Sequence, residues 1–148
     1  MIIISRKTLL VALFFFASQS FAQNLPVVIS LAKEQKWNEL ASLLEDGLNP
    51  NAVYGDGTTA LHWASYHNSN QATELLLASG ADVNATTDLG VTALWLAAEN
   101  GSVDIVRKLL TSGADPRIQL LSGETTIMTA AQAGNGEVVR SILEAGGD

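Results

Sequence analysis

"GVTALWLAAENGSVDIVRKLLTSGAD", residues 90–115, contains two helix starts and two helix stops within one short span. Thr92 is a good N-cap, because its hydroxyl can take up a free N–H of a helix's first turn. A mostly apolar segment with small alanines follows and ends at Gly101. Ser102 can cap a second helix, in which Asp104 suits the positive end of the helix dipole and Arg107 and Lys108 sit toward the negative end. Val103, Val106, Leu109 and Leu110 fall on one helical stripe. Gly113 supplies the left-handed backbone that stops the helix. The stretch therefore predicts two short helices and a turn.

The same arrangement recurs along the chain. Gly47, Gly80, Gly113 and Gly146 are 33 residues apart, and so are Leu44, Leu77, Leu110 and Leu143. Shorter series at the same step are Gly57, Gly90 and Gly123; Thr59, Thr92 and Thr125; and Ala64, Ala97 and Ala130. Many independent positions sharing one offset define a repeat protein. A single helix pair cannot cover its own apolar stripe, so neighbouring pairs must stack into one elongated core. The expected fold is all-α: a solenoid of about four units, near 23–53, 54–86, 87–119 and 120–148, joined by protruding loops. The first unit is degenerate. Pro26 opens it, and the polar Lys33, Glu34, Gln35 and Lys36 suit an N-terminal cap.

"TALHWASYHNSNQATELLLASGADVNA" (59–85) and the opening stretch resemble ankyrin repeats, whose pattern runs G-x-T-P-L-H-x-A-A, then Gly, then V-x-x-L-L-x-x-G-A-D-x-N. The resemblance covers roughly residues 25–148. It implies helix–turn–helix units with a concave binding face, and a module that binds other proteins. It also implies structural duties for Thr59, Thr92, Thr125, Gly80 and Gly113. His62 would be a structural imidazole bonding the turn's backbone and the neighbouring threonine. Ala60 and Ala93 stand where the family has Pro, Trp95 and Met128 where it has His, and Arg117 where it has Asn.

The first 22 residues belong to a different class of segment. Arg6 and Lys7 precede an apolar run of about ten residues, and Ser20 and Ala22 occupy the small-residue positions of a cleavage site. The run is too short for the roughly twenty residues of a spanning helix. Removal of a signal peptide between Ala22 and Gln23 is expected, giving an exported chain, periplasmic first and secreted second. That leaves six Lys plus Arg against fifteen Asp plus Glu, a side-chain charge of −9. Such a surface repels phosphate backbones and anionic membranes, so neither nucleic acid nor membrane is an expected partner. The absence of Cys excludes disulfides and thiolate chemistry.

No constellation for catalysis emerges. His62 and His67 are five apart, about 140° around a helix, so they point to different faces and do not form a metal pair. YGDGTT and SGETT lack the Lys of a phosphate-binding loop and recur at the repeat step, which makes them turns. No serine sits in a nucleophile elbow. No cofactor or metal and no enzymatic activity are expected; a small-ligand or catalytic groove would need a convergent polar cluster.

The remaining candidates lie where residues vary while their repeat neighbours hold. Tyr66 and His67 share their positions with Glu99 and Asn100, then Gln132 and Ala133. In the family pattern these positions end the first helix and face the groove, which predicts a free, outward His67. Loop-tip positions vary in the same way: Asp56 and Thr58, then Asp88, Leu89 and Val91, then Leu121 and Glu124. Leu89, Leu120 and Leu121 either pack against adjacent loops or form a protein-binding patch. The expected function is a monomeric, non-catalytic module gripping another protein through loop tips and concave face, with Tyr66 as anchor. A narrower version is an accessory or inhibitory subunit of a periplasmic enzyme.

Overall fold

The computed structural model describes residues 26–148. The leader and its cleavage point at Ala22 and Gln23 lie outside the described residues. Eight helices follow in four pairs: α1 (Val27–Lys33) with α2 (Trp37–Glu45), α3 (Ala60–Tyr66) with α4 (Asn70–Ala78), α5 (Ala93–Glu99) with α6 (Val103–Thr111), and α7 (Thr126–Gln132) with α8 (Gly136–Glu144). Among the described residues no strand forms; a single antiparallel bridge links Gln119 and Thr125. The architecture is the all-α repeat solenoid that the 33-residue step predicts.

Side-chain caps account for the starts of α4, α5, α7 and α8. Thr92 and Thr125 accept the amide N–H of Trp95 and Met128 at 3.1 and 3.3 Å, relieving otherwise unpaired donors of the first turn. Ser102 does not cap α6 as expected. Its hydroxyl instead donates to Asn68 Oδ1 in the preceding unit, so a link between units wins over a local cap. Between the helices of each pair, the backbone turns left-handed at Gln35, Asn68, Gly101 and Gly134, one repeat step apart. Only the last two carry the residue that adopts this conformation freely.

The core follows the seams between units. Leu61 and Leu94 of the first helices, and Leu76, Leu109 and Ile142 of the second, are fully buried. So are Ala64, Ala97 and Ala130, whose small side chains let first helices pack closely along the stack. First helices contact their successors more extensively than second helices do, which curves the stack with the first helices on its inner side. Met128 and Ala131 of the fourth unit are exposed, whereas their counterparts His62 and Ser65 are buried beneath the third.

Candidate functional site

The inner face is built from first helices and the hairpin-like loops that precede them. Each loop closes on itself: Tyr54, Thr87 and Leu120 donate their amides to the carbonyls of Thr58, Val91 and Glu124 at 2.9–3.0 Å. Neighbouring loops are then tied together, with Asp88 N–H on the Asp56 carbonyl (2.8 Å) and Leu121 N–H on that of Leu89 (2.9 Å). At Gly90 a Cβ would lie 2.7 Å from the Gln119 carbonyl oxygen, so the next loop approaches too closely for a side chain. The loops are thus prearranged rather than left to order on binding.

His62 anchors the second loop from beneath. Its Nδ1 accepts the Thr59 amide N–H at 3.1 Å and lies 2.8 Å from the Thr59 hydroxyl. Its Nε2 lies 2.9 Å from the Val91 carbonyl, which fixes the tautomer with the proton on Nε2. Burial pushes its pKa below the usual histidine value, although the Val91 carbonyl and Asp56 pull the other way. A neutral, doubly bonded ring is a structural group. Among the described residues no cluster of three or more His, Asp or Glu has metal-binding geometry.

At the junction of the first two units the inner face carries an aromatic cluster. The rings of Trp63 and His67 stack, with centroids 5.8 Å apart and planes at 25°. Trp37 meets His67 edge-on at 6.3 Å. Tyr66 meets Trp63 and His67 edge-on at 5.7 and 5.2 Å, yet its side chain is 57% exposed. Lys33 Nζ lies 5.7 Å from the Trp63 ring centroid, within cation–π range.

This geometry corrects the expectation for His67. The ring is half-buried, and its Nε2 lies 3.2 Å from the Lys33 carbonyl, where it donates to the end of α1. It is a link between units and not a free contact. Asn100, one step on, does the same work: its Nδ2 donates to the carbonyls of Ser65 (3.0 Å) and Tyr66 (3.1 Å). The two residues vary in type because either can supply an N–H donor at that height.

The other candidates fall into two groups. Glu99 and Gln132 are exposed on the inner face, one and two steps beyond Tyr66. Asp56, Asp88, Leu89 and Leu121 are exposed on the loops, with Leu89 66% and Leu121 78% accessible. The two leucines therefore project, while Leu120 is half-buried. Thr58 and Val91 are half-buried, and Val91 is committed through its carbonyl to His62. Glu124, also half-buried, accepts the Thr129 hydroxyl at 2.9 Å. The Thr58 hydroxyl and amide hold the Asp56 carboxyl below its ordinary pKa.

Sequence reasoning missed the cluster around Trp63, because Trp37 and Trp63 look like simple core residues at their own repeat positions. The usable signal was the step from Lys33 to Tyr66 and from Glu34 to His67, which places a cation and two rings together at one junction.

A search of curated proteins finds no match to this chain. The family pattern for ankyrin repeats (three copies) matches residues 24–120 and 94–148, nearly all of the described chain. Ankyrin repeats are generally protein-binding modules and typically non-catalytic scaffolds. With the 33-residue step, the paired helices and the stacked loops, that match places the chain in the ankyrin-repeat family.

Proposed function

We propose that this chain is a non-catalytic, exported module that grips another protein through its loop tips and inner face. The observation that carries the reading is Tyr66, a large amphipathic ring left mostly exposed yet braced by Trp63 and His67. A side chain already held in place loses little rotamer freedom on binding, and tyrosine is a frequent interface anchor. Asp88, Leu89, Glu99, Leu121 and Gln132 extend the surface along the stack. The exported location is supported by the basic, apolar and small-residue order of residues 1–22.

A photo-crosslinking side chain placed at position 66 in the full chain tests the site. The expected result is a discrete crosslinked protein from envelope extract, absent when the probe stands at Glu39 on α2. Equal crosslinking from both positions would contradict the assignment. Export is tested separately by N-terminal sequencing of the expressed chain: Gln23 as first residue supports it, and retention of residues 1–22 contradicts it.

A further inference from the structure

The distribution of charge along the stack specifies the partner's chemistry. In the loops and first helices of the last three units (53–67, 86–100 and 119–133) the acidic residues are Asp56, Asp88, Glu99 and Glu124. Those segments contain no Lys or Arg at all; the inner-face cation of the first unit, Lys33, one step before Tyr66, is already held against the Trp63 ring at 5.7 Å. The cations of the same units, Arg107, Lys108, Arg117 and Arg140, lie on the second helices or in the turn after α6. Three of these are already paired there: Arg107 with Glu137 (2.6 Å), Lys108 with Glu74 (2.8 Å) and Arg117 with Asp115 (3.0 Å). None of the four inner-face carboxylates forms an ion pair among the described residues.

The apolar part of this face adds a position to the sign. Tyr66 and Glu99 occupy equivalent places on packed neighbouring helices, whose axes lie about 8–10 Å apart. A guanidinium can lie against the tyrosine ring and reach a carboxylate one helix away. Arginine suits this seat better than lysine, since its planar group stacks on a ring and forms paired bonds to a carboxylate. Leu89 and Leu121 project beside the acidic line, so an occupant needs apolar side chains between its cations. A neutral or acidic segment would desolvate these carboxylates without an opposing charge, which is costly.

We infer that the inner face receives a basic protein segment, with one arginine seated between the Tyr66 ring and the Glu99 carboxylate. The inference rests on the protein-binding reading above and names the partner's class.

Random linear 12-residue peptides displayed on phage and selected against the full chain at low salt test it. Selected peptides are expected to be enriched in Arg interspersed with apolar residues, and to lose binding when Arg is replaced by citrulline. For a synthetic selected peptide, Tyr66→Ala and Glu99→Gln should each weaken affinity about tenfold. Tyr66→Phe should retain affinity, which separates loss of the ring from loss of the fold. Glu39→Gln, on α2, should change nothing. Arg-rich peptides indifferent to Tyr66→Ala and Glu99→Gln would overturn the seat. Peptides without Arg enrichment that still depend on Tyr66 would overturn the charge inference while leaving the protein-binding reading intact. Failure to enrich any peptide would overturn the basic-segment inference, and the crosslink at position 66 then decides the broader reading alone.

Discussion

The junction between the second and third units and the junction between the third and fourth share one apolar pattern but not one set of polar links. At the former, Asn84 donates to the Gly113 carbonyl (3.0 Å) and accepts the Asp115 amide (2.8 Å). His62 holds the Val91 carbonyl, and Asn100 holds those of Ser65 and Tyr66. At the latter, each of these three side chains is replaced one step on, by Arg117, Trp95 and Ala133. Arg117 turns back onto Asp115 instead of reaching the fourth unit. Asn135 on the Gly101 carbonyl, the Leu89–Leu121 loop bond and the Arg107–Glu137 pair remain. Apolar stacking therefore sets the shape of the solenoid, while the polar ladder sets how firmly each unit is attached.

The largest expected contrast is at the histidine position. His62→Ala removes a buried ring and leaves the Thr59 amide and Val91 carbonyl without it, at a cost of about 3 kcal/mol. Met128→Ala, at the same step in the exposed fourth unit, should cost under about 1 kcal/mol in the same urea titration. Equal losses would break the distinction between a first helix bridged to the next unit and the uncovered first helix of the fourth unit.

The loop asparagine gives a smaller contrast. Asn84→Ala should destabilise by about 2 kcal/mol, because it frees one carbonyl and one amide of the next unit. Arg117→Ala removes only an exposed pair with Asp115 and should stay within about 0.5 kcal/mol.

A still smaller effect should appear with pH. The folded pKa of His62 lies below its unfolded value near 6.5, so the unfolded chain binds the extra proton more readily. Its contribution to stability is complete above that unfolded value and is lost progressively as pH falls toward the folded pKa. Urea midpoints should decline over that window, and the decline should shrink in His62→Gln. The Asp56 carboxyl, with a lowered folded pKa, contributes above the unfolded carboxylate pKa and loses its contribution as pH falls further. An unchanged slope in His62→Gln would remove His62 from the ladder.

Much of this was legible in the residues. The 33-residue step gave the helix pairs, because glycine stops, threonine caps and leucine stripes are local signals that repeat. His62 was assigned its structural duty by the family pattern, and the geometry supplies the bonds. His67 was misjudged because variation among His67, Asn100 and Ala133 looks like freedom. Two of the three share a donor function that residue type conceals. Ser102 was misjudged for a related reason: a cap is a local option, and its competitor Asn68 lies 34 residues away. The direction of the projecting leucines was open in sequence, since loop packing depends on the approach of neighbouring loops.

The central claim is that polar side-chain bridges, laid over a uniform apolar pattern, decide which part of the solenoid is rigid enough to serve as a prebuilt binding face. Hydrogen exchange on the full chain and on the Arg117→Asn, Ala133→Asn double variant tests it most directly. In the native chain, amides of α3 to α6 should be well protected, and those of α7 and α8 should exchange faster even than those of α1 and α2, the other end of the stack. The double variant rebuilds two ladder positions and should slow exchange in α7 and α8 by about tenfold. Uniform protection in the native chain, or no slowing in the variant, would contradict the claim.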